Sequence, residues 1–322
     1  MSCGGCLACF LTDFIHRTEY DAHSHQLSPA SSFSCTVAPM SASHVRPSVL
    51  QIGANSHSTS TAFVHDPVPR LIANGWRAVL VEPQPDAAVA LRHHYAGRED
   101  QVRVVEAAFC PSATARAMPL YFVNATKTLG ANESDVRCVG DAIFGTASFS
   151  KAQVLRHQRW YRFTPSQCMA CARRLGRPLP PTCMRRVYTD NLDVLTVPCA
   201  SPEQLLASAS SRTSSSRGID ALIVDVEGED DRVVNRYLDL LAGAVPPPVV
   251  VYEHVHLGDA RNAALRVRLR GAGMRPFNWA SMRSPPARSM PPATWNHLRR
   301  VLRGSERDNA VWVRIDQAPG VS

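Results

Sequence analysis

From Ser48 onward, short runs of β-branched and aliphatic residues alternate with stretches that suit helices, and this alternation restricts the chain to few folds. Val49–Ile52, Ala78–Val81 and Val102–Ala107 read as strands, with helices expected over Thr61–Asn74 and Asp86–Tyr95 between them. Strand and helix in turn at this spacing build βαβ units and a parallel sheet. The strand runs are nearly all apolar, as strands covered on both faces must be. Met118–Val123 reads as a further strand after the Pro111–Thr114 turn.

The rhythm breaks between Asn124 and about residue 190 and then resumes. Strands are expected at Val194–Val197, Ala221–Val226, Val249–Tyr252 and Ala310–Ile315, with helices at Pro202–Ala209, Asp230–Leu241 and near Ala260–Arg270. An interruption of this length is too long to be bare loop in a compact domain and reads as an insertion. The domain organisation is then a leader over 1–46, an α/β domain over 47–316 interrupted at about 124–190, and a tail over 317–322.

The insertion is where the charge lies. The chain of 322 residues carries a formal net charge of +8. No acidic residue occurs between Asp141 and Asp190, whereas Lys151, Arg156, Arg159, Arg162, Arg173, Arg174, Arg177, Arg185 and Arg186 all do. One-sign segments of this kind face an anionic partner, acidic neighbours in the fold, or solvent. With Trp160 and Tyr161 among the arginines, RNA is one candidate partner.

The leader is rich in Ser, His and Cys without a sustained period, and reads as a poorly ordered tail. Its apolar run Leu7–Ile15 is broken by Asp13 and lacks a basic n-region, so neither a secretory signal nor a membrane helix is expected. Ten cysteines are too few for a disulfide scaffold at this length. The expectation is a soluble, cytoplasmic protein whose cysteines are mostly free thiols. Cys138, Cys168, Cys171 and Cys183 in the insertion supply enough thiols for a structural zinc, with a disulfide pair or unlinked buried thiols as the other readings.

Four segments carry chemistry. Val49-Leu50-Gln51-Ile52-Gly53-Ala54-Asn55 is a buried strand running into a glycine turn, where backbone and ligand can approach closely. Val79-Leu80-Val81-Glu82-Pro83 places a carboxylate at the end of the next strand, positioned to accept hydrogen bonds from both hydroxyls of a ribose. Together they describe a nucleoside pocket, and the absence of G-x-G-x-x-G disfavours a pyrophosphate-bearing dinucleotide. In Ile223-Val224-Asp225-Val226-Glu227-Gly228, Asp225 and Glu227 are two apart and are expected on one side, able to hold an ammonium, orient a hydroxyl or take a proton. Val251-Tyr252-Glu253-His254-Val255-His256-Leu257 puts Glu253 on one side and a His-x-His pair on the other, which reads as polar structure or as part of a metal site.

In this order and spacing, VLQIGAN, AVLVEPQPD, VRVVEAAF, LIVDVEGEDDRVV and VVVYEHVHL resemble the FkbM-type family of S-adenosylmethionine-dependent methyltransferases, over about Pro47 to Ile315. The resemblance implies a class I methyltransferase fold, an α/β Rossmann-like sheet that is mostly parallel and seven-stranded, here with a basic, Cys-containing insertion. It implies S-adenosylmethionine as cofactor and O-methylation of a hydroxyl on a small molecule or sugar. Carried over, Gly53 and Asn55 would line the methionine part of the cofactor, Glu82 would hold its ribose, Ala107 and Ala108 would pass beneath the adenine, and Gln51 also falls among the cofactor-binding positions. Asp225 and Glu227, with His254 second, are the candidate bases at the transfer site. The family often has an acid where Gln51 stands and Gly where His57 stands. Two other classes remain open: an RNA-binding or RNA-modifying protein using the Arg block, and a noncatalytic interaction module that keeps the fold.

Overall fold

The structure is a computed structural model that describes residues 46–55, 66–110, 114–124, 147–157, 173, 176, 192–210, 219–241, 247–277, 295–296, 298, 302 and 309–314. Residues 1–45 of the expected leader, the tail over 317–322, His57, the four insertion cysteines and most of the Arg block lie outside these residues. Val45–Ser322 forms one compact unit.

Its centre is a seven-stranded sheet. The first half is β1 (Ser48–Ile52), helix α1 (Val68–Ala73), β2 (Arg77–Val81), α2 (Pro85–His94) and β3 (Val102–Val105). A side element follows: β4 (Ala108–Phe109), β5 (Ala117–Val123), α3 (Lys151–His157) and β6 (Leu192–Ala200). The second half is α4 (Pro202–Ser210), β7 (Ala221–Val224), α5 (Asp230–Leu240), β8 (Val249–Glu253), α6 (Asp259–Gly271), β9 (Met274–Pro276) and β10 (Asn309–Arg314).

The strand order is β3-β2-β1-β7-β8-β10-β9. β1, β2, β3, β7 and β8 pair in parallel, and only β10 runs against its two neighbours. The chain therefore steps outward in one direction from β1 to β3, returns beside β1 as β7, and steps outward in the other direction. The gap between β1 and β7 at their carboxyl ends is the switch point, where α/β sheets bind ligands.

The strands form as they do because both faces of the sheet are covered. Every residue of β1 is buried, and its alternate side chains enter different layers. Leu50 and Ile52 join a core with Leu205, Val233, Val234, Tyr237, Leu265 and Leu269 from α4, α5 and α6. Val49 joins the opposite core with Leu71, Ile72, Leu91, Trp76, Trp295 and Leu298. α5 is amphipathic, burying Val233, Val234, Tyr237 and Leu238 on one stripe.

The sequence did not reveal the second sheet. β5 is antiparallel to β6 across seven residue pairs from Ala117↔Pro198 to Val123↔Leu192, and β4 adds to β6 in parallel. Because β3 leads directly into β4, this small sheet hangs at the carboxyl end of the large one, beside the switch point. The expectation of free thiols fails at Cys110 and Cys199, which form a disulfide. The β4–β6 register brings their Cα atoms to 5.4 Å, inside the range a disulfide requires. Among the described residues no helix is long and apolar enough to cross a membrane.

Candidate functional site

A cleft of about 570 Å³, its open mouth included, lies over the carboxyl ends of β1, β2 and β7. Ile52, Gly53 and Asn55 come from β1 and its turn, Val81, Glu82, Pro83 and Gln84 from β2, and Asp225, Val226 and Glu227 from the turn after β7. Ala107, Phe109 and Leu120 form an apolar wall from the small sheet, and Ala147 and Phe149 close it from the insertion.

The turn after β1 is fixed by its backbone. The Gly53 and Ala54 N–H groups both donate to the Val81 carbonyl, at 2.9 and 3.1 Å, and the Asp225 N–H donates to the Ile52 carbonyl at 2.9 Å. Gly53 has φ +83°, and a Cβ there would sit 1.8 Å from the Asp225 carbonyl oxygen. Glycine is thus required at 53 by the close passage of the β7 turn, as well as by the left-handed backbone.

Glu82 is the most defined group in the cleft. It is 3% exposed, and its two carboxylate oxygens accept separate backbone hydrogen bonds, from Asn55 N–H at 2.7 Å and Gln84 N–H at 2.8 Å. Such charge-assisted bonds hold the carboxylate in one orientation, at the floor of the cleft.

Asp225 lines the cleft and is exposed to it. Its carboxyl is held above the usual carboxylate range, by loss of hydration among the packed turn backbones and by the negative charges of Glu227, Asp230, Asp66 and Glu82. Asp230, fully buried at the start of α5, is pushed up to about 8 by burial and by Glu227, against the lowering effect of N–H groups from Gly228 and Glu253. Those two bonds, at 3.2 and 3.3 Å, tie the turn after β7 to the end of β8. The expectation that strand alternation places Asp225 and Glu227 on one side does not apply, because β7 ends at Val224 and Glu227 adopts φ +56°. Both nonetheless reach the cleft, through the turn.

Three of the sequence-predicted residues lie elsewhere. Gln51 alternates with Ile52 and so points to the opposite face of β1, where its amide donates to Asp66 at 2.9 Å. Asp66 in turn accepts from the Val68 N–H at the start of α1, at 2.8 Å. Ala108 likewise faces away from the cleft, packing with Cys110, Leu120 and Val197, while Ala107 and Phe109 on either side of it face in. His254 belongs to a turn closed by Leu257 N–H on the His254 carbonyl and does not line the cleft. The turn also separates His256 from His254 and brings its Nε2 to 3.4 Å from both Glu227 and Glu253. The His-x-His pairing thus gives way to a pairing of His256 with two carboxylates.

The residues that sequence reasoning missed come from the insertion and the small sheet. Ser148 pairs its backbone with Tyr121 and donates its hydroxyl to the Glu227 carbonyl at 3.2 Å. Gln153 of α3 packs against Gly228, where an added Cβ would lie 3.1 Å from its amide carbon. This part of the insertion is therefore built into the site and supports the turn that carries Glu227. Period-two alternation at β4 would have identified Phe109; no local signal marks Ser148 or Gln153. Comparison with models of known protein families and with curated proteins gives no match to this chain.

Proposed function

We propose that this chain is an S-adenosylmethionine-dependent methyltransferase of class I fold that methylates a hydroxyl on a small molecule or sugar. The observation that carries the reading is Glu82: a buried carboxylate held by two backbone N–H groups at the end of β2, beside the switch point. That is where an adenosine ribose binds in sheets of this type. The resemblance in the DVEG and IGAN segments and the seven-stranded sheet with one antiparallel strand support the same assignment.

The residues present fit the cofactor. Glu82 can accept from both ribose hydroxyls, Ala107, Phe109 and Leu120 offer an apolar wall for the adenine, and the acids Asp225 and Glu227 suit the positively charged end. When bound, S-adenosylmethionine supplies a methyl group on a sulfonium. Asp225, which lines the cleft beside Glu227, is the proton acceptor for the hydroxyl, and positioned bases contribute about 10² to 10⁴ in rate. Phe149 and Ala147 add apolar surface to the cleft wall. Gln51 lies off the cleft, on Asp66, so the departure from an acid at that position leaves the cofactor surface intact.

Calorimetry with S-adenosylhomocysteine tests the proposal. The wild type is expected to bind one equivalent, and Glu82→Ala to lose about 100-fold or more, since two charge-assisted hydrogen bonds of about 1.5 to 3 kcal/mol each are removed. No heat and no thermal shift at millimolar ligand would refute it.

A further inference from the structure

At the edge of the cleft, one side chain from each of three neighbouring segments converges. Glu227 comes from the turn after β7, Glu253 from the last position of β8, and His256 from the turn that follows. One ligand atom from each lies within 4.8 Å of the other two. The informative quantity is the spacing of the imidazole: His256 Nε2 stands 3.4 Å from Glu227 Oε2 and 3.4 Å from Glu253 Oε1.

A charge-assisted hydrogen bond would draw such a pair to about 2.7 to 2.9 Å. Donor atoms on a common metal ion, by contrast, are kept apart by the geometry of its bonds. With bonds of about 2.0 to 2.2 Å, adjacent ligands are about 3.0 Å apart at a right angle and about 3.4 Å apart at the tetrahedral angle. One nitrogen equidistant at 3.4 Å from two carboxylate oxygens fits the separation of ligands on one ion, and the third pair lies within 4.8 Å.

We infer that Glu227, Glu253 and His256 form a binding site for one divalent transition-metal cation at the edge of the cleft. Two carboxylates and an imidazole select the ion class: Mg²⁺ and Ca²⁺ favour all-oxygen sets, whereas ions such as Mn²⁺, Fe²⁺ and Zn²⁺ accept nitrogen beside oxygen. The side chains are partly exposed, at 19%, 13% and 13%, so an ion can enter from solvent. Three protein ligands leave positions open, as in catalytic rather than structural sites. Because Glu227 lines the cleft, an acceptor hydroxyl can take an open position, where an ion lowers its affinity for its proton. That use rests on the methyl-transfer reading; binding of the ion does not.

The test is a Mn²⁺ titration of the full chain after chelator dialysis, followed by the electron paramagnetic resonance of the free ion. Mn²⁺ is chosen because it avoids thiolates, and the chain has ten cysteines. One saturable ion per chain is expected, with Glu253→Gln and His256→Gln each weakening it by about 10-fold or more. Pulsed resonance on the wild type is expected to show a directly coordinated nitrogen, which needs no variant to fold. A free-ion signal rising in proportion from the first addition, variants that bind like the wild type, or bound ion without nitrogen coupling would each overturn the site. S-adenosylhomocysteine binding is measured separately in chelator. Ion binding without it refutes methyl transfer and keeps the site; nucleoside binding without the ion does the reverse.

Discussion

Substituting Gly53 by Ala probes how the β1 turn and the β7 turn lock together. Two costs add. A non-glycine residue in the left-handed region costs about 1 to 2 kcal/mol, and Gly53 has φ +83°. The new methyl would also start 1.8 Å from the Asp225 carbonyl oxygen and 2.8 Å from its carbon, so backbone must move. Overpacking of that kind costs about 1 to 3 kcal/mol, giving about 2 to 5 kcal/mol in all. Gly97 supplies the control: its φ is +81°, and nothing lies within 4 Å of an added Cβ. Gly97→Ala should therefore show only the conformational cost. Equilibrium urea unfolding of both variants, with slopes compared to confirm a common unfolded state, separates the terms. The moving backbone carries Asp225, so Gly53→Ala should also weaken S-adenosylhomocysteine binding while Gly97→Ala leaves it unchanged. Equal destabilisation by the two substitutions would refute the reasoning.

Three further outcomes are expected. Peptide mapping of oxidised protein should find Cys110 joined to Cys199, and reduction should lower stability by about 2 to 5 kcal/mol because the bond closes a loop spanning 89 positions; absence of the joined peptide contradicts the β4–β6 register. Asp230, whose affinity for protons is raised by folding to a pKa of about 8, should make metal-free protein less stable as pH climbs from about 4 towards 8, because the unfolded carboxyl ionises first. The slope from this group approaches about 1.4 kcal/mol per pH unit, and Asp230→Asn should flatten it in urea titrations across that window. Gln51→Leu should cost about 1 to 3 kcal/mol by leaving Asp66 without its amide donor, yet leave S-adenosylhomocysteine affinity unchanged; a matching loss of affinity would return Gln51 to the cleft.

What could be read from the residues was what local pattern determines. The five parallel strands of the large sheet are short apolar runs between helices, and Glu82 is visible because an acid ends such a run. The same period of two places Gln51 and Ala108 off the cleft and Phe109 in it; the resemblance assigned whole segments, whereas the pleat separates neighbours. The β5–β6 pairing was not legible because its strands lie far apart in sequence, across the insertion, with no local signal to choose partners. The Cys110–Cys199 pair follows from the β4–β6 pairing, which the same separation hid. β9, with three residues, is too short for a periodic signal. Glu227, Glu253 and His256 come together only because the chain leaves regular strand geometry after Val224 and again after Glu253, where alternation no longer says which way a side chain points.

The central claim is that the Glu82 carboxylate receives a ribose. It is tested most directly by calorimetry of S-adenosylhomocysteine and its 2′,3′-dideoxy analogue against the wild type and Glu82→Ala. If Glu82 holds the hydroxyls, the wild type discriminates strongly between the two ligands and the variant hardly at all, the two losses being far from additive. Equal discrimination by both proteins would contradict the account.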